Sequence, residues 1–194
     1  MTYYKQHQGS KINSSGFTAI ETMITIGIVG ILFTLGSPNF KAIAANTKIK
    51  TQVSDFHIAI LQTRNEAITR GHRVTLCKSN DGAACTTSGH WNQGWILFTD
   101  NITQDANITA GEVVLTTHAA LSSGNSLIGN YQVSNYISYT GSGLSSRTSG
   151  SFQNGTIALC DYRGAGEGRQ IVINTAGRPR VARPARNCTR PTAG

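Results

Sequence analysis

Five arginines lie within the closing stretch GRPRVARPARNCTRPTAG, from Gly177 to Gly194, and no acid lies among them. They are Arg178, Arg180, Arg183, Arg186 and Arg190; Arg169 precedes them, and the last acid of the chain is Glu167. A guanidinium is a planar fork that donates two parallel hydrogen bonds, which matches the oxygens of a phosphate. Pro179 biases Arg178 toward extended backbone. In an extended chain residues i and i+2 point the same way, about 6.5 Å apart, so Arg178 and Arg180 present two forks on one face. Gly177 permits a tight turn into the segment, Pro184 and Pro191 keep it extended, and Cys188 offers a point of attachment. Nothing in the segment is shaped for a groove, so the pattern reads backbone phosphates rather than base sequence. The plain alternative is a solvated basic tail, and the other end of the chain bears on which it is.

No catalytic constellation accompanies the arginines. There is no Gly-x-Ser-x-Gly elbow, no P-loop and no His-Glu-x-x-His. RGAGEGRQ (Arg163–Gln170) lacks the spacing and the strand-to-helix setting of a dinucleotide loop and reads as a β-turn. Asp81, Asp100 and Asp105 fall in loops, where a carboxylate is usually a turn former rather than a cation ligand. His57 and His72 have no partners that would make either catalytic. No enzyme activity, cofactor or metal is expected. The four cysteines allow three pairings. The favoured set is Cys77–Cys85, closing a short polar loop, with Cys160–Cys188, tying the tail to the body, each worth about 2–4 kcal/mol. A zinc site is the rival, but no Cys-x-x-Cys pair occurs and the spacings match no common zinc pattern.

The elements that must position these residues follow from composition and periodicity. A chain of 194 residues holds one ordinary domain plus an appendage. Apolar residues make up 39%, enough for a packed core, while charged residues are sparse at 13% and Gly, Ser, Thr and Asn abound. That mixture suits turn-rich β structure. The formal charge of +8 favours anionic partners only weakly until its distribution is known.

The amino terminus, MTYYKQHQGSKINSSG, carries Lys5 and Lys11 and no acid; from Thr22 to Phe40 there is no charge at all, long enough for a membrane-crossing helix. Glu21 stands at the head of that run, where a carboxylate costs about 2–3 kcal/mol if carried to mid-membrane. A secretory signal cleaved near AIAA (Ala42–Ala45) is one reading, and a plain anchor another, but neither has a use for Glu21. SSGFTAIETMITIGIVGIL resembles the type IV prepilin signature: a basic leader ending in Gly, then Phe, then Glu at the fifth mature position. The resemblance implies that a prepilin peptidase cuts between Gly16 and Phe17 and that the new amine of Phe17 is methylated. It also implies that Glu21 neutralises the amino terminus of a neighbouring subunit during assembly. The chain would then cross the inner membrane once, leader lysines inside, with its carboxyl-terminal body in an oxidising compartment that favours disulfides.

Past Pro38, which should bend or locally melt the helix, Ile49, Val53, Phe56, Ile60 and Ala67 follow 3.6-residue spacing, with Ile68 beside the last. Arg70-Gly71 is a helix stop. Phe17 to Arg70 would span roughly 80 Å as one helix. Six segments then read as strands: Arg73–Ser79, Gly94–Asp100, Gly111–His118, Tyr131–Thr140, Gly155–Asp161 and Arg169–Gly177, with SNDGAAC and SGNSLIGN as turns or loops. Trp91 and Trp95 serve the core or its edge. The fold class is α+β, a long amino-terminal helix packed on an antiparallel sheet. The divisions are a leader (1–16), a hydrophobic membrane or filament-core helix (17–40), an amphipathic helix (41–71), a β-rich head (72–176) and a basic tail (177–194).

NQGWILFTD, GTIALCDYRG and GRQIVINTAGRPRV, in that order, are similar to the GspH/FimT group of minor pilins and pseudopilins. The resemblance, with leader and helix, covers nearly the whole chain and implies a type IV pilin-like fold with other major and minor pilins as partners. Gly177-Arg178-Pro179-Arg180 matches the Gly-Arg-x-Arg motif that the resemblance associates with FimT members that bind double-stranded DNA for natural transformation. Arg178 and Arg180 would clamp phosphates, and Arg183, Arg186, Arg190 and Lys48 or Lys50 would widen the contact. The alternatives are a structural minor pilin and a minor pseudopilin of type II secretion.

Overall fold

The computed structural model describes residues 16–121, 124–186 and 188, and between 34 and 39 the backbone alone. The leader lysines and Arg190 lie outside the described residues. The chain divides into two compact units, Met1–Ala42 and Ile43–Gly194.

In the first unit Gly16 and Phe17 lead into helix α1 (Ala19–Arg70). Thr18 caps it: its Oγ1 accepts the Glu21 amide at 3.3 Å, and Glu21 sits in the first turn, where a carboxylate opposes the positive end of the helix dipole. Thr18-x-x-Glu21 is therefore a capping-box sequence. Large apolar side chains here face outward, from Phe17 to Phe33 and at Phe40. Among the described residues, no helix is long and apolar enough to cross a membrane. Helix α1 is continuous through position 38, where the sequence suggested a bend or local melting.

The second unit holds the core. From Ile49 to Ala67 the expected apolar stripe is buried, with Thr63 filling the gap between Ile60 and Ala67 by bonding its hydroxyl to Ala59 O at 2.7 Å. Ile68 falls off the stripe and is half exposed. Phe56 meets Trp91 and Trp95 edge-on, each at 4.9 Å between ring centroids. Gly71, at φ +70°, ends the helix by donating to Ala67 O.

Among the described residues eight strands follow: β1 (Val74–Lys78), β2 (Trp95–Thr99), β3 (Val114–His118), β4 (Ser126–Gly129), β5 (Tyr136–Tyr139), β6 (Gly155–Cys160), β7 (Arg169–Ile173) and β8 (Pro179–Ala182). They form two antiparallel sheets, ordered β3-β2-β1-β5 and β4-β6-β7-β8, rather than one. Alternate residues of both sheets, among them Leu76, Leu97, Ile137, Leu127, Ile157 and Ile171, join the helix stripe in a single cluster. The outer faces differ. On the first sheet Cys77, Ile96 and Phe98 are covered by loop residues including Ile108 and Cys85. On the second, among the described residues, the end near Cys160 is covered by Ala185 and Cys188.

Three segments depart from the sequence expectation. SGNSLIGN contains β4, because Leu127 fills the core and β6 supplies a partner. Tyr131–Val133, expected as strand, is a 3-10 turn in which Val133 is buried and its carbonyl accepts Trp91 Nε1 at 2.9 Å. Pro179–Ala182, placed in the basic tail, is β8 and pairs with β7.

Candidate functional site

The arginine-bearing segment is held at both ends. At its start, β7 turns into β8 through Asn174, whose carbonyl accepts Gly177 N and whose Oδ1 accepts Arg178 N, both at 2.9 Å. Gly177 has φ +73°, and a Cβ there would lie 2.8 Å from both Ser145 N and Tyr139 Cε1. Only glycine satisfies both the left-handed backbone and the close approach. The buried Tyr139 hydroxyl donates to Gly177 O at 2.7 Å, and burial pushes its phenol well above the ordinary value. From α1, His57 Nε2 approaches Pro179 O at 3.4 Å. The glycine of Gly-Arg-x-Arg thus belongs to the β7–β8 hairpin, which β5 and α1 support.

Strand β8 pairs with β7 in the register Ile173↔Pro179, Val172↔Arg180 and Gln170↔Ala182. Proline is tolerated because it opens an edge strand. Asn174 N donates to Arg178 O at 3.4 Å, which makes Arg178, Arg180 and Ala182 the residues whose backbone turns toward β7. The chain then folds back over the sheet: Ala185 N donates to Gly168 O at 3.2 Å, and Arg186 N to Gln170 Oε1 at 3.1 Å. Ala185 is buried against Ala158 and Cys160. A Cβ on Gly168 would come within 2.7 Å of Ala185 Cβ, so glycine is required for this crossing. Two residues beyond Arg186, Cys188 is bonded to Cys160 with Cα atoms 5.8 Å apart. The second disulfide joins Cys77 and Cys85, Cα atoms 5.6 Å apart, on the other sheet.

Arg178, Arg180, Arg183 and Arg186 are all exposed. Among the described residues, the ion pairs are Arg70–Glu66, Arg163–Asp161 and Arg163–Glu167, and none uses these four arginines. Arg163 is occupied, since it also donates to Asn46 Oδ1 of α1 at 2.9 Å. Arg180 stands opposite Val172, and with Arg186 it borders a groove of about 410 Å³ on the open face of the second sheet. Arg178 lies two residues before Arg180 on the same strand side, about 6.5 Å away. Charge is segregated in sequence: no Lys or Arg occurs between Lys78 and Arg147, while Asp81, Asp100, Asp105 and Glu112 all fall there, around the first sheet.

The two helix lysines separate. Lys50 is exposed and shares a face with Asn46, which touches Arg163, and His57, which touches β8. Lys48 is half-buried and lies about 160° around the helix from Asn46, nearer Gln52, which accepts a hydrogen bond from Asn125. Lys50 sides with the arginines and Lys48 does not. Tyr139, Asn174 and Gln170, which hold the segment, carried no functional signal in the sequence beyond the Asn174-x-x-Gly177 turn spacing.

The loop carboxylates do local work. Asp81 accepts the amides of Ala84 and Ala83 and the Ser79 hydroxyl, which hold its carboxyl below the ordinary range. Asp105 is lowered in the same way by Asn107 N. Asp100 is fully buried and pushed upward by that burial; Oδ2 accepts from Thr75, and Oδ1 has no partner. Among the described residues no three of His, Cys, Asp or Glu gather as a metal site.

The family model described as Type II transport protein GspH matches residues 52–177. Curated protein sequences yield no match. Among solved structures, the type IV minor pilin FimU of Pseudomonas aeruginosa is similar at 15% identity and a TM-score of 0.53, covering 71% of this chain and 90% of that one. The minor pseudopilin EpsH of the type II secretion system of Vibrio cholerae is similar at 13% identity, covering 71% of this chain and 98% of that one, with a TM-score of 0.46. At such identities the FimU likeness speaks for the fold, a helix packed on antiparallel sheets. The family match takes in more than half of the chain, from the amphipathic half of α1 to Gly177, and on that ground the chain belongs to the GspH family, the GspH/FimT-type group of minor pilins and minor pseudopilins.

Proposed function

We propose that this minor pilin binds extracellular double-stranded DNA without sequence preference, for uptake in natural transformation. The observation that carries the reading is the set of four exposed arginines, free of ion pairs among the described residues, on a hairpin edge fixed at Gly177 and Cys188. Arg178 and Arg180 clamp phosphates, Arg183, Arg186 and Arg190 extend the contact, and Lys50 adds to it from α1. Lys48, which faces the other way, contributes less.

The anchoring reading goes with it. A prepilin peptidase cuts between Gly16 and Phe17, Phe17 is methylated, and residues 17–40 hold the chain in the inner membrane before it joins other pilins in a filament. Glu21 pairs with a neighbouring amino terminus during that assembly. Glu21→Ala should leave cleavage intact and impair incorporation; normal incorporation would remove the role.

The DNA test is duplex binding by the protein and by Arg178→Gln/Arg180→Gln across a salt series. Log K should fall with log salt at a slope of about −3, and the double change should reduce that slope by about 2. Unchanged affinity would sink the motif's role, and no binding at low salt would return the chain to a purely structural pilin. The family model's description favours one second reading, a type II secretion pseudopilin. Loss of exoprotein secretion in the deletion strain, with transformation intact, would decide for it.

A further inference from the structure

The two sheets treat their outer faces differently, and the difference bears on what kind of nucleic acid the arginines can hold. The first sheet's outer face is closed by loops. The second presents a row of residues across its open face: Arg180 on β8, Val172 on β7, Thr156 on β6 and Asn130 at the end of β4. Three inter-strand spacings separate Arg180 from Asn130, about 14 Å. The next row adds Ala158 and Gln170, with Arg186 above Gln170. Gln170 is nine-tenths buried, and its Oε1 is taken by Arg186 N, which leaves the amide nitrogen for a ligand in the groove.

This arrangement is a cationic rim beside a neutral floor. Arg178 and Arg180 follow the β8 edge and Arg186 stands over β7 at one end of the groove, while Val172, Thr156 and Ala158 make the floor. At the far end, directly after Asn130, Tyr131 is 84% exposed, with the Arg147 guanidinium 5.7 Å from its ring centroid. A duplex keeps its base faces stacked inside the helix and can use only the rim. An unpaired strand has free base faces, which an aliphatic floor and an exposed aromatic accept without regard to sequence.

We propose that the open face of the second sheet is a single-strand site: the sugar-phosphate backbone runs along Arg178, Arg180 and Arg186, and the bases lie across Val172 and Thr156 toward Asn130 and Tyr131. The inference rests on the DNA reading above and sharpens it, because the rim serves duplex and single strand while the floor serves only the single strand.

The test compares fluorescein-labelled oligo-dT with a hairpin-capped duplex of equal charge, by anisotropy, using the full chain in detergent. Two variants leave the rim intact. Thr156→Gln fills the floor with a polar side chain and adds no ring, and Tyr131→Ala removes the exposed ring. Each should weaken oligo-dT binding about five- to tenfold, as loss of one stacked base implies, and leave duplex affinity within about twofold. Tyr131 is so exposed that its truncation leaves the fold intact, and a thermal melt checks Thr156→Gln. Binding of duplex without oligo-dT, or equal weakening of both ligands, or no weakening by either variant, would overturn the single-strand site and leave duplex binding standing. Binding of neither ligand by the unaltered protein would instead overturn the DNA reading itself.

Discussion

Removing the Cys160–Cys188 bond should separate the tail from the strand that precedes it. The bond closes a segment of sequence separation 28. A loop of that length restricts the unfolded chain by about 12 cal/mol/K, or about 3.6 kcal/mol at 25 °C. The Cys77–Cys85 bond, with a separation of 8, comes to about 2.5 kcal/mol by the same relation. Cys160→Ala/Cys188→Ala is the suitable change, because Cys160 is fully buried and a serine hydroxyl there would add an unpaired polar group. Urea unfolding followed by fluorescence of the buried Trp91 and Trp95 should show a loss of about 3 kcal/mol, with a higher m-value because the unfolded chain is no longer cross-linked. Amide exchange then locates the effect. The Ala185 and Arg186 amides, which bond across to Gly168 and Gln170, should exchange freely, whereas the ladder between β7 and β8 stays protected. Duplex binding should lose the Arg186 share and retain the Arg178 and Arg180 share. A loss below about 1 kcal/mol, or exchange spreading equally into β8, would refute the view that the disulfide clamps the tail onto a strand that is stable without it.

Phe56→Ala should cost about 3–5 kcal/mol in the same assay, since the ring is fully buried between two indoles. Gly177→Ala should destabilise by more than about 1 kcal/mol and weaken DNA binding, because the added methyl meets Tyr139 and Ser145 at a left-handed backbone; normal binding would show that the hairpin does not aim Arg178. Asp100 gives a pH signature of opposite sign to an ion-paired carboxylate. Its folded pKa is raised by burial, so its contribution is fully present below the ordinary carboxylate pKa and is lost as pH rises through the folded value. Asp100→Asn should remove that decline, and its stability relative to the parent should improve from pH 4 toward neutrality; a flat difference would contradict the burial argument.

What the sequence made legible is what local chemistry decides. The stripe from Ile49 to Ala67 and the stop at Gly71 follow from helical period and from the backbone freedom of glycine. The β-branched runs at β1, β2, β6 and β7 each carry enough apolar residues to declare themselves. Strands β4 and β8 do not. Each is four residues long, and each becomes a strand only because a neighbour offers a ladder. The arginines were visible as chemistry, but their support was not. Tyr139 reaches Gly177 from 38 residues away and His57 reaches Pro179 from 122 away, separations that no local pattern encodes. Lys48 and Lys50 looked alike in composition, and only their places around the helix tell them apart.

Strand β8 has a consequence for neighbours of the same kind. It ends its sheet, and the backbone groups of Arg178, Arg180 and Ala182 are turned inward to β7. The outward positions in the strand are Pro179 and Val181; Pro179 has no amide to offer, and His57 stands over its carbonyl. One outward amide, flanked by charged side chains, is a poor template for another chain's strand. The arginines proposed to draw phosphate therefore also help keep the sheet from growing, so copies brought to high local concentration stay separate heads instead of fusing edge to edge into an amyloid-like ribbon.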